Sequence, residues 1–217
     1  NKIKEIIDRK QLKTIPNIIA VTKTRPLETI KEAIKKNLLL IGENKIQETE
    51  KKFYKQRNIR KNIELHLIGR LQSNKIKKAV KMFDVIQTVD SLKILKKINN
   101  MAAQINKKQR VYFQVNIGCD EKKQGFNAPS LLKECQKTEE YKNIIVEGIM
   151  TILPYGKTKN ENKKLFMKTV FLQRKIQKDF IKTCVKTSMG MSGDYLEAVK
   201  AGTTHIRIGS ALFGKRE

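Results

Sequence analysis

The sequence predicts an α/β fold, a closed (β/α)8 barrel of the TIM type. Three observations carry it. Short apolar runs alternate with helical patterns eight times along the chain, and repeated strand–helix units build a parallel sheet with crossover helices. No composition break or linker interrupts the 217 residues, so residues 1–217 are expected to form one domain, at the compact end of the range for such barrels. No Gly-x-Gly-x-x-Gly fingerprint follows the first strand, which disfavours the runner-up, an open doubly wound sheet.

Residues 2–10 are expected to form a short amphipathic helix, with Ile3, Ile6 and Ile7 on one face. The first strand covers about 17–22, and Pro26, at a favourable first helical position, opens a helix to about residue 36. Leu38 to Gly42 reads as a second, buried strand, followed by a helix over 45–54. Ile63 to Ile68 is the third strand, residues 69–74 its loop, and a basic helix runs on from Lys75. Val85 to Val89 is the fourth strand, and Asp90 or Ser91 caps the next helix, which reaches about residue 105.

Arg110 to Asn116 is the fifth strand, with a helix near 130–138. Ile144 to Met150 is the sixth, followed by a polar loop over 153–160 and a long helix over 161–180. Thr183 to Ser188 is the seventh, with a turn over 190–193 and a short helix over 195–201. Thr204 to Ile208 is the eighth, and Ser210 to Phe213 closes the barrel.

Hydrophobic content of 39% and charged content of 31% fit a soluble globular protein. No apolar run approaches the roughly 20 residues of a membrane span. The amino terminus is charged, holds no signal-peptide core and starts without methionine, as a fragment or trimmed chain would. Cys119, Cys135 and Cys184 are widely separated and lack metal-ligand spacing. A reduced, cytoplasmic compartment is the simplest expectation.

The net charge of +26 would suit nucleic acid or an anionic membrane. The basic residues are mostly lysines scattered over every helix, tryptophan is absent and aromatics are 6%. There is no base-stacking platform. A lysine-rich solvent face, with no specific nucleic acid and no membrane as partner, accounts for this better.

In a barrel of this type the active site lies at the carboxyl ends of the strands. Lys23 ends the first strand and shares a face with Ile19 and Val21. An amine at a core's rim is a candidate for imine chemistry. Loops after strands seven and eight form the usual barrel phosphate site. Here they hold Ser188, Gly190, Ser192 and Gly193, then Gly209 and Ser210. Singly each is an ordinary turn glycine or helix cap; two such loops at the ends of the last strands favour phosphate. Arg207 is expected to point inward near the barrel mouth, beside Lys23 once the barrel closes. A lysine for an aldehyde, an arginine for a ring nitrogen and a phosphate cradle describe pyridoxal 5′-phosphate.

Six stretches now carry a resemblance. They are Ala20 to Thr24, Gly42 to Glu48, His66 to Lys75, Gly148 to Thr151, Ser188 to Ser192 and Ile206 to Gly214. In this order they span nearly the whole chain, which resembles the pyridoxal phosphate homeostasis protein family, also called YggS or PROSC. That family is related to the amino-terminal barrel of alanine racemase. The resemblance implies that Lys23 holds the cofactor as a Schiff base and that Arg207 faces the pyridine nitrogen. It also implies that Ser188, Ser192, Gly209 and Ser210 hold the phosphate and that Asn44 lies beside the ring. The first helix is shorter than is usual in the family.

A racemase needs an acid/base group on each face of the substrate carbon. Lys23 serves one. The racemases bring a tyrosine from a second, carboxyl-terminal domain, and this chain stops after the barrel. An arginine beside the ring nitrogen also disfavours its protonation. The expectation is a cofactor-binding protein of intracellular pyridoxal 5′-phosphate homeostasis, with no catalytic residue, as a monomer delivering to cofactor-dependent apo-enzymes. A small amino-acid racemase is the alternative. His66 and His205 are expected inside the barrel as hydrogen-bonded core residues, not metal ligands.

Overall fold

The computed structural model describes Ile3, Glu5 and residues 15–214. Eight parallel strands close into a barrel in sequence order. They are β1 (Asn17–Val21), β2 (Leu40–Glu43), β3 (Glu64–Leu67), β4 (Val85–Val89), β5 (Gln109–Gln114), β6 (Ile144–Met150), β7 (Lys186–Ser188) and β8 (His205–Ile208). Closure runs between β1 and β8, where Ile19 pairs with Arg207. The open-sheet alternative is thereby excluded.

The outer layer holds α1 (Leu27–Lys35), α2 (Ile46–Lys52), α3 (Arg57–Lys61), α4 (Ile76–Met82) and α5 (Leu92–Gln104). It continues with α6 (Ala128–Cys135), α7 (Lys159–Asp179), α8 (Tyr195–Lys200) and α9 (Ser210–Phe213). Local signals set several starts. Thr158 and Glu161 form a reciprocal capping box at α7. Ser91 caps α5, and Asn127 caps α6 ahead of Pro129 in its first turn. The helix expected over 2–10 lies outside the described residues apart from Ile3 and Glu5, both helical.

Several boundaries differ from the sequence reading, most by a residue or two, and one element is new. β2 starts at Leu40 because Leu38 donates its N–H back to Ala33 O, closing α1 through Asn37 at φ 57°. β7 is only three residues, because Cys184 N–H turns back to Ile181 O before the strand begins. The short α3 was not expected. Arg60 pins it by donating to Ile63 O and Met82 O and by pairing with Asp84 at 2.7 Å.

The strands divide the protein by polarity. Outward residues such as Ile41, Leu65, Leu67, Ile86, Val111 and Phe113 are buried under the helices and form the main apolar core. The barrel interior is different. Its apolar part is small, built around Val85, Tyr112 and Met150. The buried polar residues His66, Gln87, Ser188, His205 and Arg207 lie on its strands. Period-two alternation thus puts apolar side chains against helices and polar ones along the axis.

Ile86→Ala, deep in the strand–helix layer, is expected to cost about 2–5 kcal/mol. The midpoint of urea unfolding measures this, and an unchanged midpoint would place the core elsewhere.

Candidate functional site

The carboxyl ends of the strands surround a cavity of about 280 Å³. Its polar wall is built from Lys23, Asn44, Ser192, Arg207, Gly209 and Ser210, and its apolar wall from Val21, Ile68, Ile152 and Met191. Two glycines permit this packing. Gly190 has φ 86° and a side chain there would meet Ala198 and Tyr195. At Gly69 a Cβ would sit 2.2 Å from Asn44 O, so the loop after β3 presses directly on the residue that lines the site.

Lys23 lies in a turn just past β1 and is half-buried. Its two chain neighbours are held from behind by α2. Thr22 donates its hydroxyl to Glu43 Oε1 at 2.6 Å, and its carbonyl accepts from Lys52 Nζ at 2.9 Å. Thr24, at φ 61°, donates its N–H to Glu48 Oε1 at 2.5 Å. Lys52 pairs with Glu43 at 2.5 Å and Glu48 at 3.3 Å. Glu43 is fully buried, and burial raises its carboxyl above the ordinary value against the pull of Lys52 and Thr22. Its second oxygen has no hydrogen-bond partner among the described residues. The ion pair therefore holds the Lys23 turn from inside the helix layer.

Arg207 is 3% exposed. Its Nη1 donates to Ser188 O at 2.6 Å and Ser188 Oγ at 2.9 Å, and its Nη2 to Thr151 O at 2.8 Å. Burial brings it down to about 10, partly offset by Asp194, so it remains a cation at neutral pH. A guanidinium has five N–H donors. Nε–H and one Nη2–H remain uncommitted among the described residues, on a side chain that lines the cavity. Unspent donors on a buried cation call for an acceptor.

Other lining residues have the same character. The backbone N–H groups of Ser192, Gly193, Gly209 and Ser210 make no hydrogen bond among the described residues. The Ser192 hydroxyl accepts from Ala211 N–H at 3.3 Å, tying the loop after β7 to α9. Asp194 closes the same loop by accepting from Met191 N–H at 2.7 Å.

Six of the seven residues expected at the site therefore line one cavity. Ser188 does not. It is fully buried one layer behind, between Arg207 and Gln87. His66 and His205 are buried in the interior, as expected, and among the described residues no cluster suited to a metal occurs.

A family profile described as "Alanine racemase, N-terminal domain" matches residues 5–217. A pyridoxal phosphate homeostasis protein of Synechocystis is 37% identical over 199 residues, covering 92% of this chain and 91% of that protein. The chain belongs to the pyridoxal phosphate homeostasis branch of the alanine racemase N-terminal domain family. Another member, PipY of Synechococcus elongatus, has a solved structure with PLP bound. It is 32% identical, with a TM-score of 0.87 over 98% of this chain and 100% of its own. Alanine racemase of Clostridium difficile shares the fold alone, at 17% identity and a TM-score of 0.75, over 99% of this chain and 57% of its own.

The structure also uses residues that the sequence did not single out. Gln87 sits inside the wholly buried β4, and its only signal is one amide at an inward position. Thr151 was visible as a strand end, but its use as a carbonyl acceptor was not. Glu43 and Lys52 gave no sign that they pair across β2 and α2.

Lys52→Met removes the countercharge of a buried carboxylate, a change that typically costs about 3–5 kcal/mol. Thermal or urea unfolding reads it, and a loss below about 1 kcal/mol would show that the pair does not brace this turn. Burial, with the charge of Lys186 acting in the same direction, holds His205 at about 4, below its ordinary 6.5. The unfolded chain then takes up the proton first, so this contribution is complete above 6.5 and is lost as pH falls toward 4. His205→Gln is expected to flatten the stability profile across that window, and curves parallel to wild type would contradict the assignment.

Proposed function

We propose that this chain binds pyridoxal 5′-phosphate in the cavity at the barrel mouth and serves the homeostasis of that cofactor without a committed reaction of its own. One observation carries the reading. An amine, a buried guanidinium with unspent donors and four uncommitted backbone N–H groups meet around one cavity. The residues fit the group. Uncommitted N–H groups at the start of a helix suit a phosphate. The guanidinium suits a ring acceptor, and Asn44, Ile68 and Ile152 supply flanking surface.

When bound, the cofactor supplies an aldehyde that an amine captures reversibly. Lys23 provides that amine from a turn fixed by Glu43, Lys52 and Glu48. Arg207, held as a cation, would donate toward the ring nitrogen and so keep it without a proton. Ser192, Gly193, Gly209 and Ser210 hold the phosphate. Ser188 acts from behind, by orienting Arg207. Among the described lining residues only Lys23 and Arg207 are ionisable. This favours holding over turnover. The recipients in this proposal are cofactor-dependent apo-enzymes of the cytoplasm, where three free cysteines stay reduced.

Borohydride treatment after adding the cofactor is expected to fix one equivalent on wild type and none on Lys23→Ala, read by absorbance and intact mass. Arg207→Ala is expected to weaken cofactor binding about 10- to 100-fold, as loss of hydrogen bonds from a charged group does. Equal labelling of both proteins would remove Lys23 from the reading. Lys23-dependent racemisation of alanine above the rate with free cofactor would replace holding by catalysis.

A further inference from the structure

Behind Arg207 a continuous column of polar side chains runs down the barrel axis. Arg207 Nη1 donates to Ser188 Oγ at 2.9 Å, and Ser188 Oγ lies 2.7 Å from Gln87 Oε1. Gln87 Nε2 lies 2.9 Å from His66 Nδ1, and His66 Nε2 lies 2.8 Å from Glu64 Oε1. Arg110 Nη2 meets Glu64 Oε2 at 2.8 Å. Glu64 is held below the ordinary carboxylate value: its contacts with His66 and its bond to Arg110 outweigh the upward effect of burial.

The direction of every bond in this column is determined from its ends. Arginine can only donate, and an ionised carboxylate can only accept. Ser188 Oγ accepts from Arg207, and its own hydrogen, in a fully buried place, has Gln87 Oε1 as its one acceptor among the described residues. That orients the Gln87 amide, so its NH2 faces His66 Nδ1 and that nitrogen must be the acceptor. The imidazole proton then sits on Nε2, against Glu64, in a contact too bent for an ideal hydrogen bond. Turning the Gln87 amide over would strand the Ser188 hydrogen in the interior, at the cost of an unmade buried bond.

We infer that Gln87 and His66 are positioning residues for Arg207. Through the Ser188 hydroxyl they fix which of its N–H groups are spent on the barrel and which are left to face the cavity. Neither residue touches the cavity, since both lie below Ser188. What Arg207 is held toward rests on the cofactor reading above, whereas the order of the column does not.

The chain has two histidines, so nitrogen-15 NMR of the cofactor-free protein, assigned with His205→Gln, reads the His66 ring directly. The expected result is Nε2–H with an unprotonated Nδ1. The opposite tautomer, or a doubly protonated ring at neutral pH, overturns the column whatever the cofactor does. A second arm uses pyridoxal 5′-phosphate itself. His66→Leu and Gln87→Leu are expected to weaken its binding by up to about tenfold and to shift its absorbance band. His66→Gln, whose amide offers both an acceptor and a donor, is expected to restore both. If wild type fixes the cofactor on Lys23 and the leucine variants match it in affinity and spectrum, the column only fills the barrel and the inference fails alone. If wild type takes up no cofactor, the cofactor reading fails and the tautomer still decides the column.

Discussion

Arg207 is a cation kept almost wholly out of water, and much of the interior answers to that fact. A buried guanidinium must find acceptors. Two are backbone oxygens at the ends of β6 and β7, and one is a hydroxyl on β7. Each is placed by the barrel's own register, so the cation is satisfied only when strands six to eight are correctly aligned. The polar interior then follows. Once one hydroxyl faces the arginine, the amide and imidazole behind it must be polar too. The apolar driving force for folding is accordingly displaced outward, to the layer between strands and helices.

The architecture was readable because its period is simple. Val85–Val89 and Ile144–Met150 occupy the residues their apolar runs mark. The boundaries that moved did so where backbone groups were claimed by turns, as at Leu38 and Cys184, and single-residue patterning carries no trace of that competition. The site was legible where chemistry coincides with a strand end. Lys23 and Arg207 are far apart in the chain, yet β1 pairs with β8, as ordering eight strands around a circle requires. Gln87 and Lys52 were not legible. A glutamine in a buried strand and a lysine at the end of a charged helix look ordinary until their partners from other elements are known.

The lysine content becomes partly intelligible in three dimensions. Lys52 and Lys107 are not surface ornaments. The first donates to a carbonyl at the end of β1, and the second to Val80 O at 2.6 Å and Phe83 O at 2.7 Å, where α4 ends. Ammonium groups at helix and strand ends satisfy carbonyls that lack a partner within their own element. Burial brings Lys107 down to about 8, the mark of an amine committed to the structure. Others, such as Lys35 and Lys157, lie on exposed faces within reach of a nearby carboxylate and contribute little individually.

The brevity of β7 has a mechanical side. Its three residues meet β8 through a single paired position, Ser188 with His205. The ladder there is the shortest around the barrel, beside the strand that carries Arg207. The guanidinium spans that seam, rooted on β8 and bonded to Ser188 on β7 and to Thr151 just past β6. It works as a stitch across that join, beside the bonds that Thr187 and Thr204 exchange. An acceptor at the free edge of the arginine would draw on the same side chain that spans the seam. The mouth of the barrel and the seam of its wall thus share one residue.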